Sequence, residues 1–299
     1  MRNLISIADL TKAEIMDILK LAQAFKQGLS KDSLTNKVIA SCFFESSTRT
    51  RLSFDSAVAR LGGKTIGFAD SGTTSLAGKG ESLVDTLKII NCYADALIIR
   101  HPLDGAARLA SELCNIPIIN AGDGANQHPT QTLLDLFSIL DSQGQLDEIK
   151  LGIMGDLKYS RTVHSLTTAA KLFKMKLYFI APKALRIADE HLFALKKAGT
   201  HYSFHSSLEE VIDKLDCLYL TRLQKERFSD IVFDSYTLSL ASLRSAKANL
   251  TILHPLPRQE ELPTVIDDTP YAYYFQQAQN GLYVRQALLD LLFADSQGK

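Results

Sequence analysis

The chain has no charge of one sign to spare: 33 Lys and Arg are balanced by 33 Asp and Glu over 299 residues. Without a global field it is not expected to bind nucleic acid or an anionic membrane, and any affinity for anions must be built locally. Cysteine is scarce. Cys42, Cys92, Cys114 and Cys217 include no C-x-x-C pair, which speaks against a zinc knuckle or redox couple and fits reduced, mostly buried thiols in a cytoplasmic protein. No run approaches the roughly eighteen apolar residues of a membrane span. The opening "MRNLISIADLTKAEI" breaks its apolar residues with Asp9, Lys12 and Glu14, unlike a signal peptide. Repeats and low-complexity segments are absent.

Motifs for common chemistries are missing too. The seven histidines show no H-E-x-x-H or other ligand spacing, so no catalytic metal is expected, and no G-x-S-x-G elbow supports a serine hydrolase. "GTTSLAGKGES" imitates a phosphate loop, but five residues separate Gly72 from Gly78 and Lys79 is followed by Gly80. "GDGANQ" is likewise not a dinucleotide fingerprint. No cofactor is implied.

What is present is alternation. With 46% hydrophobic and 22% charged residues, the chain has the composition of a folded protein long enough for two domains. A helix over Lys12 to Gln27 precedes a short apolar run, Val38 to Phe44. After "ESSTR", Phe54, Ala57, Val58 and Leu61 fall at i, i+3, i+4 and i+7, and Gly62-Gly63 supplies a stop. Further strands are expected at Ala96 to Ile99, Ile116 to Asn120, Leu151 to Met154, Lys176 to Ile180, Cys217 to Leu220 and Thr251 to Leu253. Helices are expected from Gly105, after "HPTQ", after "GDLKYSR" and over Tyr273 to Ala294. "DSQGQLDEI" is the best linker. The fold class is therefore α/β, two domains, each a parallel sheet flanked by helices, over residues 1–140 and 148–280. The spacing does not say on which domain the last helix, 280–299, docks.

Open parallel sheets bind ligands beyond the carboxyl ends of their strands. The stretches there are Glu45 to Arg51, Arg100-His101, Gly122 to Gln131, Asp156 to Arg161, Arg222 to Arg227 and His254 to Arg258; five of the six contain arginine and the other contains His128. That enrichment points to a small, strongly anionic ligand. "SSTRT" places Ser47 and Thr48 at a helix start, where hydroxyls, N–H groups and Arg49 could cradle phosphate; the same residues also describe an ordinary cap with solvated arginines. Arg49 and Arg51, two apart, do not share a helix face, so Arg49 is expected to meet the ligand and Arg51 to be structural. Pro129 suits a first helical position, with His128 as the cap before it and Gln131 in the first turn. Arg222, Gln224, Lys225 and Arg227 read either as part of a site or as a solvated charge run.

Taken in order, "FFESSTRTRLSF", "TSLAGKGES", "RHP", "NAGDGANQHPTQTLLDLF", "GDLKYSRTVHSL", "TRLQKER" and "HPLPR" resemble the catalytic chains of the aspartate carbamoyltransferase family, over about Leu4 to Phe293. The S-T-R-T-R element is shared with ornithine enzymes. "HPLPR" discriminates, because Pro255 stands where those enzymes carry a cysteine. The resemblance implies carbamoyl phosphate and L-aspartate as substrates, an N-terminal carbamoyl-phosphate domain, a C-terminal aspartate domain, a last helix that returns to the first domain, and a homotrimer with shared active sites. It also leaves room for a separate regulatory chain. By residue, Ser47, Thr48, Arg49 and Thr50 would hold phosphate, with Arg49 balancing charge on the departing oxygen. Thr50, Arg100 and His128 would surround the carbamoyl oxygen, and Gln131 the carbamoyl nitrogen. Arg161, Arg222 and Gln224 would orient the aspartate carboxylates, while Ser75 and Lys79, donated by a neighbouring subunit, would reach both substrates. The Leu256 carbonyl, framed by Pro255 and Pro257, would accept a hydrogen from the attacking amine. Glu45 would pair with Arg161 and Arg227 in domain closure. Two departures stand out: Gly78 replaces a second lysine, and the segment from Arg227 to His254 is a few residues shorter than the family pattern.

Overall fold

The computed structural model describes residues 3–70, 72, 79–222 and 236–294. It divides into two units, Met1–Leu134 with Gln279–Lys299, and Asp135–Ala278.

The first unit holds a four-stranded parallel sheet in the order β2-β1-β3-β4, from β1 (Val38–Phe43), β2 (Lys64–Phe68), β3 (Ala96–His101) and β4 (Ile118–Asp123). Both faces are covered, which is why the central strands read as continuous apolar runs. Ala40, Cys42, Leu97 and Ile99 join one buried cluster with Leu87 of α3 (Leu83–Tyr93) and Ala107 and Ala110 of α4 (Ala106–Leu113). Their strand neighbours Ile39, Phe43 and Ile98 point the other way and are also fully buried. Helix α1 (Lys12–Lys26) buries Ile15, Ile18, Leu19, Ala22 and Phe25 at helical spacing. Its start is fixed by a capping box between Thr11 and Glu14, a device worth about 1 kcal/mol.

The second unit holds five parallel strands in the order β7-β6-β5-β8-β9, from β5 (Lys150–Met154), β6 (Lys176–Ile180), β7 (Tyr202–His205), β8 (Cys217–Leu220) and β9 (Thr251–Leu253). Met154, Ile180, Leu218, Leu220 and Ile252 pack with Leu208, Val211, Ile212 and Leu215 in its core. The remaining helices are α2 (Thr48–Arg60), α5 (Pro129–Gln143), α6 (Arg161–Ala170), α7 (Asp189–Lys197) and α8 (Tyr274–Ala294). The division between units falls within α5, at Leu134, and within α8, at Ala278.

The structure differs from the sequence reading at several points. Strands β2 and β7 were not expected; both are outermost in their sheets, and the exposure of β2 leaves it no apolar run to read. Strand β3 runs on through Arg100, which pairs in register with Phe43. Strand β4 spans Ile118–Asp123, because the polar Asn120 and Asp123 satisfy each other inside it: Asn120 Nδ2 donates to Asp123 Oδ1 at 2.8 Å and to the Ile5 carbonyl at 2.9 Å. Among the described residues no helix is long and apolar enough to cross a membrane.

Candidate active site

In the first unit β1, β3 and β4 are successive neighbours, so the stretches following them converge at one sheet edge. Strand β1 leads through Glu45 into α2, whose cap position is Ser47, with φ −157° and no side-chain capping bond. Among the described residues, the first N–H groups of α2 therefore have no capping side-chain acceptor, at the positive end of a helix. Thr48, Arg49 and Thr50 form its first turn. Thr50 is buried. Arg49 has no ion-pair partner among the described residues, and partial burial pulls its pKa below the ordinary guanidinium value. Arg51 behaves differently: its Nε lies 3.5 Å from Asp55 Oδ2, one turn along the same helix.

Arg100, at the end of β3, donates from Nη2 to Glu45 Oε1 at 2.9 Å. The adjacent His101 is buried, accepts from the Leu103 N–H at 3.0 Å and packs on Phe44. Burial lowers its pKa, against the opposing influence of Glu45 and Asp123.

His128 and Gln131 are positioned by a residue that the sequence reading did not single out. Asp123, buried at the end of β4, accepts from the Gly105 N–H at 2.9 Å, Asn126 Nδ2 at 3.1 Å and the Gln127 N–H at 3.3 Å. It thereby ties the start of α4 to the loop entering α5. His128 follows, 4% exposed, and its carbonyl accepts from the Gln131 and Thr132 N–H groups in the first turn of α5. Its Nδ1 lies 3.4 Å from the Thr130 hydroxyl. Lys79 is exposed.

In the second unit β5, β8 and β9 are successive neighbours. After β5, buried Asp156 accepts through Oδ1 from the Lys158 and Tyr159 N–H groups, both at 3.0 Å, and folds the loop that delivers Arg161 to the first position of α6. His164 Nε2 lies 3.0 Å from the Lys158 carbonyl, and since a carbonyl only accepts, the ring is the donor. The ends of β5 and β8 approach so closely that a Cβ on Gly155, at φ +120°, would lie 2.4 Å from the Thr221 carbonyl oxygen. Arg222 comes next and donates from Nε to Gln259 Oε1 at 3.0 Å.

After β9, His254 and Glu261 are both buried. His254 Nδ1 accepts from the Leu256 N–H at 2.8 Å and Nε2 faces Glu261 Oε1 at 3.0 Å, which also accepts from the Gln259 N–H at 2.8 Å. The bond to Nδ1 fixes the tautomer, so Nε2 donates to the carboxylate. Burial pushes the Glu261 pKa up, but the bonds from His254 and Gln259 outweigh it and hold the group below the ordinary glutamate value. The loop so pinned keeps Leu256 at φ +54°, a left-handed conformation costing a residue with a side chain of order 1 kcal/mol. Arg258 donates from Nη2 to Asp267 Oδ2 at 2.7 Å and also meets Tyr274. Pro257 lies between Leu256 and Arg258, while Ser75, Gln224 and Arg227 lie outside the described residues. Among the described residues no cluster of three or more His, Cys, Asp or Glu could hold a metal ion.

Residues 2–141 match the carbamoyl-phosphate-binding domain of aspartate/ornithine carbamoyltransferases, and residues 147–292 match the Asp/Orn-binding domain of the same proteins. The chain belongs to the aspartate/ornithine carbamoyltransferase family. Within this carbamoyltransferase family it is 54% identical, over 99% of its own length and 97% of the relative's, to the aspartate carbamoyltransferase catalytic subunit 2 of Shewanella halifaxensis. The catalytic subunit of M. jannaschii aspartate transcarbamoylase superposes with TM-score 0.92, 45% identity and full coverage of both chains. Aspartate transcarbamoylase from Trypanosoma cruzi, solved with carbamoyl phosphate and aspartate, gives TM-score 0.91 at 36% identity, covering 97% of this chain and 94% of that one.

Proposed function

We propose that this carbamoyltransferase is an aspartate carbamoyltransferase, which makes N-carbamoyl-L-aspartate and phosphate from carbamoyl phosphate and L-aspartate, a step of pyrimidine biosynthesis. Carbamoyl phosphate is assigned to the first unit and aspartate to the second. The observation that carries the reading is the start of α2. There the Ser47 side chain makes no capping bond, and Arg49, two residues on, has no carboxylate partner among the described residues. Such a turn is a site for an anion supplied from outside.

The chemistry follows from the substrate. Its carbonyl is already activated by a phosphate leaving group, so the aspartate amine attacks directly: the N–C bond forms, the C–O bond to phosphate breaks, and phosphate accepts the amine proton. Orientation of two substrates can supply roughly 7 to 11 kcal/mol, and the rest is stabilisation of the oxyanion and of the departing dianion. Ser47, Thr48, Arg49 and Thr50 hold the phosphate. Thr50, Arg100 and His128, as a hydrogen-bond donor, hold the carbamoyl oxygen, and Gln131 the carbamoyl nitrogen. Arg161, Arg222 and Gln224 take the aspartate carboxylates, with arginine suited to a two-bond grip. Leu256, with Pro257 behind it, offers its carbonyl to the amine. Because Arg100 is held by Glu45, a substrate that recruits Arg100 must compete with Glu45 for it.

The working assembly is a cytoplasmic homotrimer, with Ser75 and Lys79 contributed by a neighbouring subunit. A separate regulatory chain is compatible with it. Sedimentation of the purified protein is expected to give about three times the 33.0 kDa of one chain; a monomer active at assay concentration contradicts the shared site. The function itself is tested by offering purified protein carbamoyl phosphate with L-aspartate, L-ornithine or oxamate. Carbamoylation of aspartate alone is expected. Equal or faster carbamoylation of ornithine would overturn the assignment.

A further inference from the structure

Gln259 lies just beyond the HPLPR stretch and has no role in the scheme above, yet its side chain touches a guanidinium in that scheme. Its Oε1 accepts from Arg222 Nε at 3.0 Å, while its own N–H is held by Glu261 Oε1 at 2.8 Å. Glu261 is in turn fixed by His254, with Nε2 and Oε1 3.0 Å apart and side chains only 1% and 4% exposed. We infer that Gln259 is a positioning residue for Arg222, anchored by the buried His254–Glu261 pair, and that it sets the grip on the substrate carboxylate. The inference rests on the proposal that Arg222 binds aspartate.

Nε is the inner nitrogen of the guanidinium, and with Nε engaged by Gln259 the outer Nη1/Nη2 edge is left to pair end-on with a carboxylate through two parallel hydrogen bonds. An acceptor at Nε restricts rotation of the planar group about the end of a flexible stem and so aims the outer edge. Less rotamer freedom is then lost when the carboxylate arrives. The same anchor fixes the Leu256 N–H through His254 Nδ1 at 2.8 Å. One buried pair thus sets the position of both the carbonyl proposed to receive the amine and the arginine proposed to receive a carboxylate, keeping their separation constant.

Gln259→Leu removes the acceptor from an exposed position and leaves the backbone bond to Glu261. The KM for aspartate is expected to rise about fivefold, the effect of losing one exposed hydrogen bond to a charged donor. The KM for carbamoyl phosphate, kcat and the thermal midpoint should stay unchanged. In an Arg222→Lys background, which has no guanidinium Nε, Gln259→Leu is expected to add nothing. The same fold-change in both backgrounds, or equal rises for both substrates, overturns the inference. A crystal structure of Gln259→Leu separates this from failure of the proposed function. A guanidinium plane rotated from its wild-type setting supports the positioning role whatever the enzyme carbamoylates, and an unmoved plane refutes it.

Discussion

The start of α2 and the loop after β9 solve opposite problems. At the first, the Ser47 hydroxyl caps nothing and Arg49 meets no carboxylate among the described residues. At the second, His254, Glu261, Gln259 and Leu256 are tied to one another by internal bonds, and Arg258 is tied to Asp267. A turn that leaves donors unsatisfied stores affinity for something outside the protein. A turn that satisfies them holds a backbone in a conformation it would otherwise leave. The contrast predicts that substitutions in the first region damage turnover at intact stability, whereas those that disturb close-packed turns damage stability first. Arg49→Ala tests the first half, with the largest effect. A hundred- to a thousandfold fall in kcat is expected, roughly 3 to 4 kcal/mol of transition-state stabilisation, with an unchanged thermal midpoint because no internal ion pair is lost. A normal kcat would remove Arg49 from the mechanism.

The converse is tested at Gly155, where the ends of β5 and β8 meet. A methyl group there would lie 2.4 Å from the Thr221 carbonyl oxygen on a backbone at φ +120°, so Gly155→Ala must separate the two strand ends or strain them. The expected cost is about 2 kcal/mol of stability, read from denaturant midpoints. Because Thr221 directly precedes Arg222, the KM for aspartate should rise with it. Stability lost with aspartate affinity intact would mean that Arg222 is not placed by this packing, and would weaken the link drawn between framework and site.

How much was legible depends on what each residue does. Lys176–Ile180, Cys217–Leu220 and Thr251–Leu253 can be read residue for residue, because strands in a sheet covered on both faces are bounded apolar runs. β2 and β7 cannot, since none of their residues is fully buried and neither strand needs such a run. Arginines at strand ends are visible in the sequence because charge directly after an apolar run is conspicuous. Asp123, Asp156 and Glu261 are not, because they hold backbone N–H groups brought near by folding, and Gln259 is not, because its partner Arg222 stands 37 residues away. Nothing in the spelling of "GDG" or "GDLK" distinguishes a carboxylate that ties two loops from one that faces solvent. The Glu45–Arg100 bond is hidden for a related reason: 55 residues separate its partners, and only the adjacency of β1 and β3 brings them together.

The smallest expected effect is a pH dependence that separates the two regions again. Glu261 has its pKa lowered in the folded protein, its bonds from His254 and Gln259 prevailing over the burial that works to raise it. A carboxyl depressed on folding stabilises the folded state at pH values above its unfolded pKa, about 4.3, and that contribution is lost as the pH falls through the lower folded value. Glu261→Gln keeps the shape and an acceptor for His254 but cannot ionise. Wild type should therefore exceed Glu261→Gln in urea midpoint at pH 7, and the gap should close as the pH is lowered below the ordinary glutamate range. Arg49→Ala should leave the acid limb of the wild-type stability curve where it was, because the start of α2 supplies Arg49 with no carboxylate to lose. A gap between wild type and Glu261→Gln that stays constant down to acid pH would show that the pair contributes shape but no charge, and the loop after β9 would then owe its rigidity to packing.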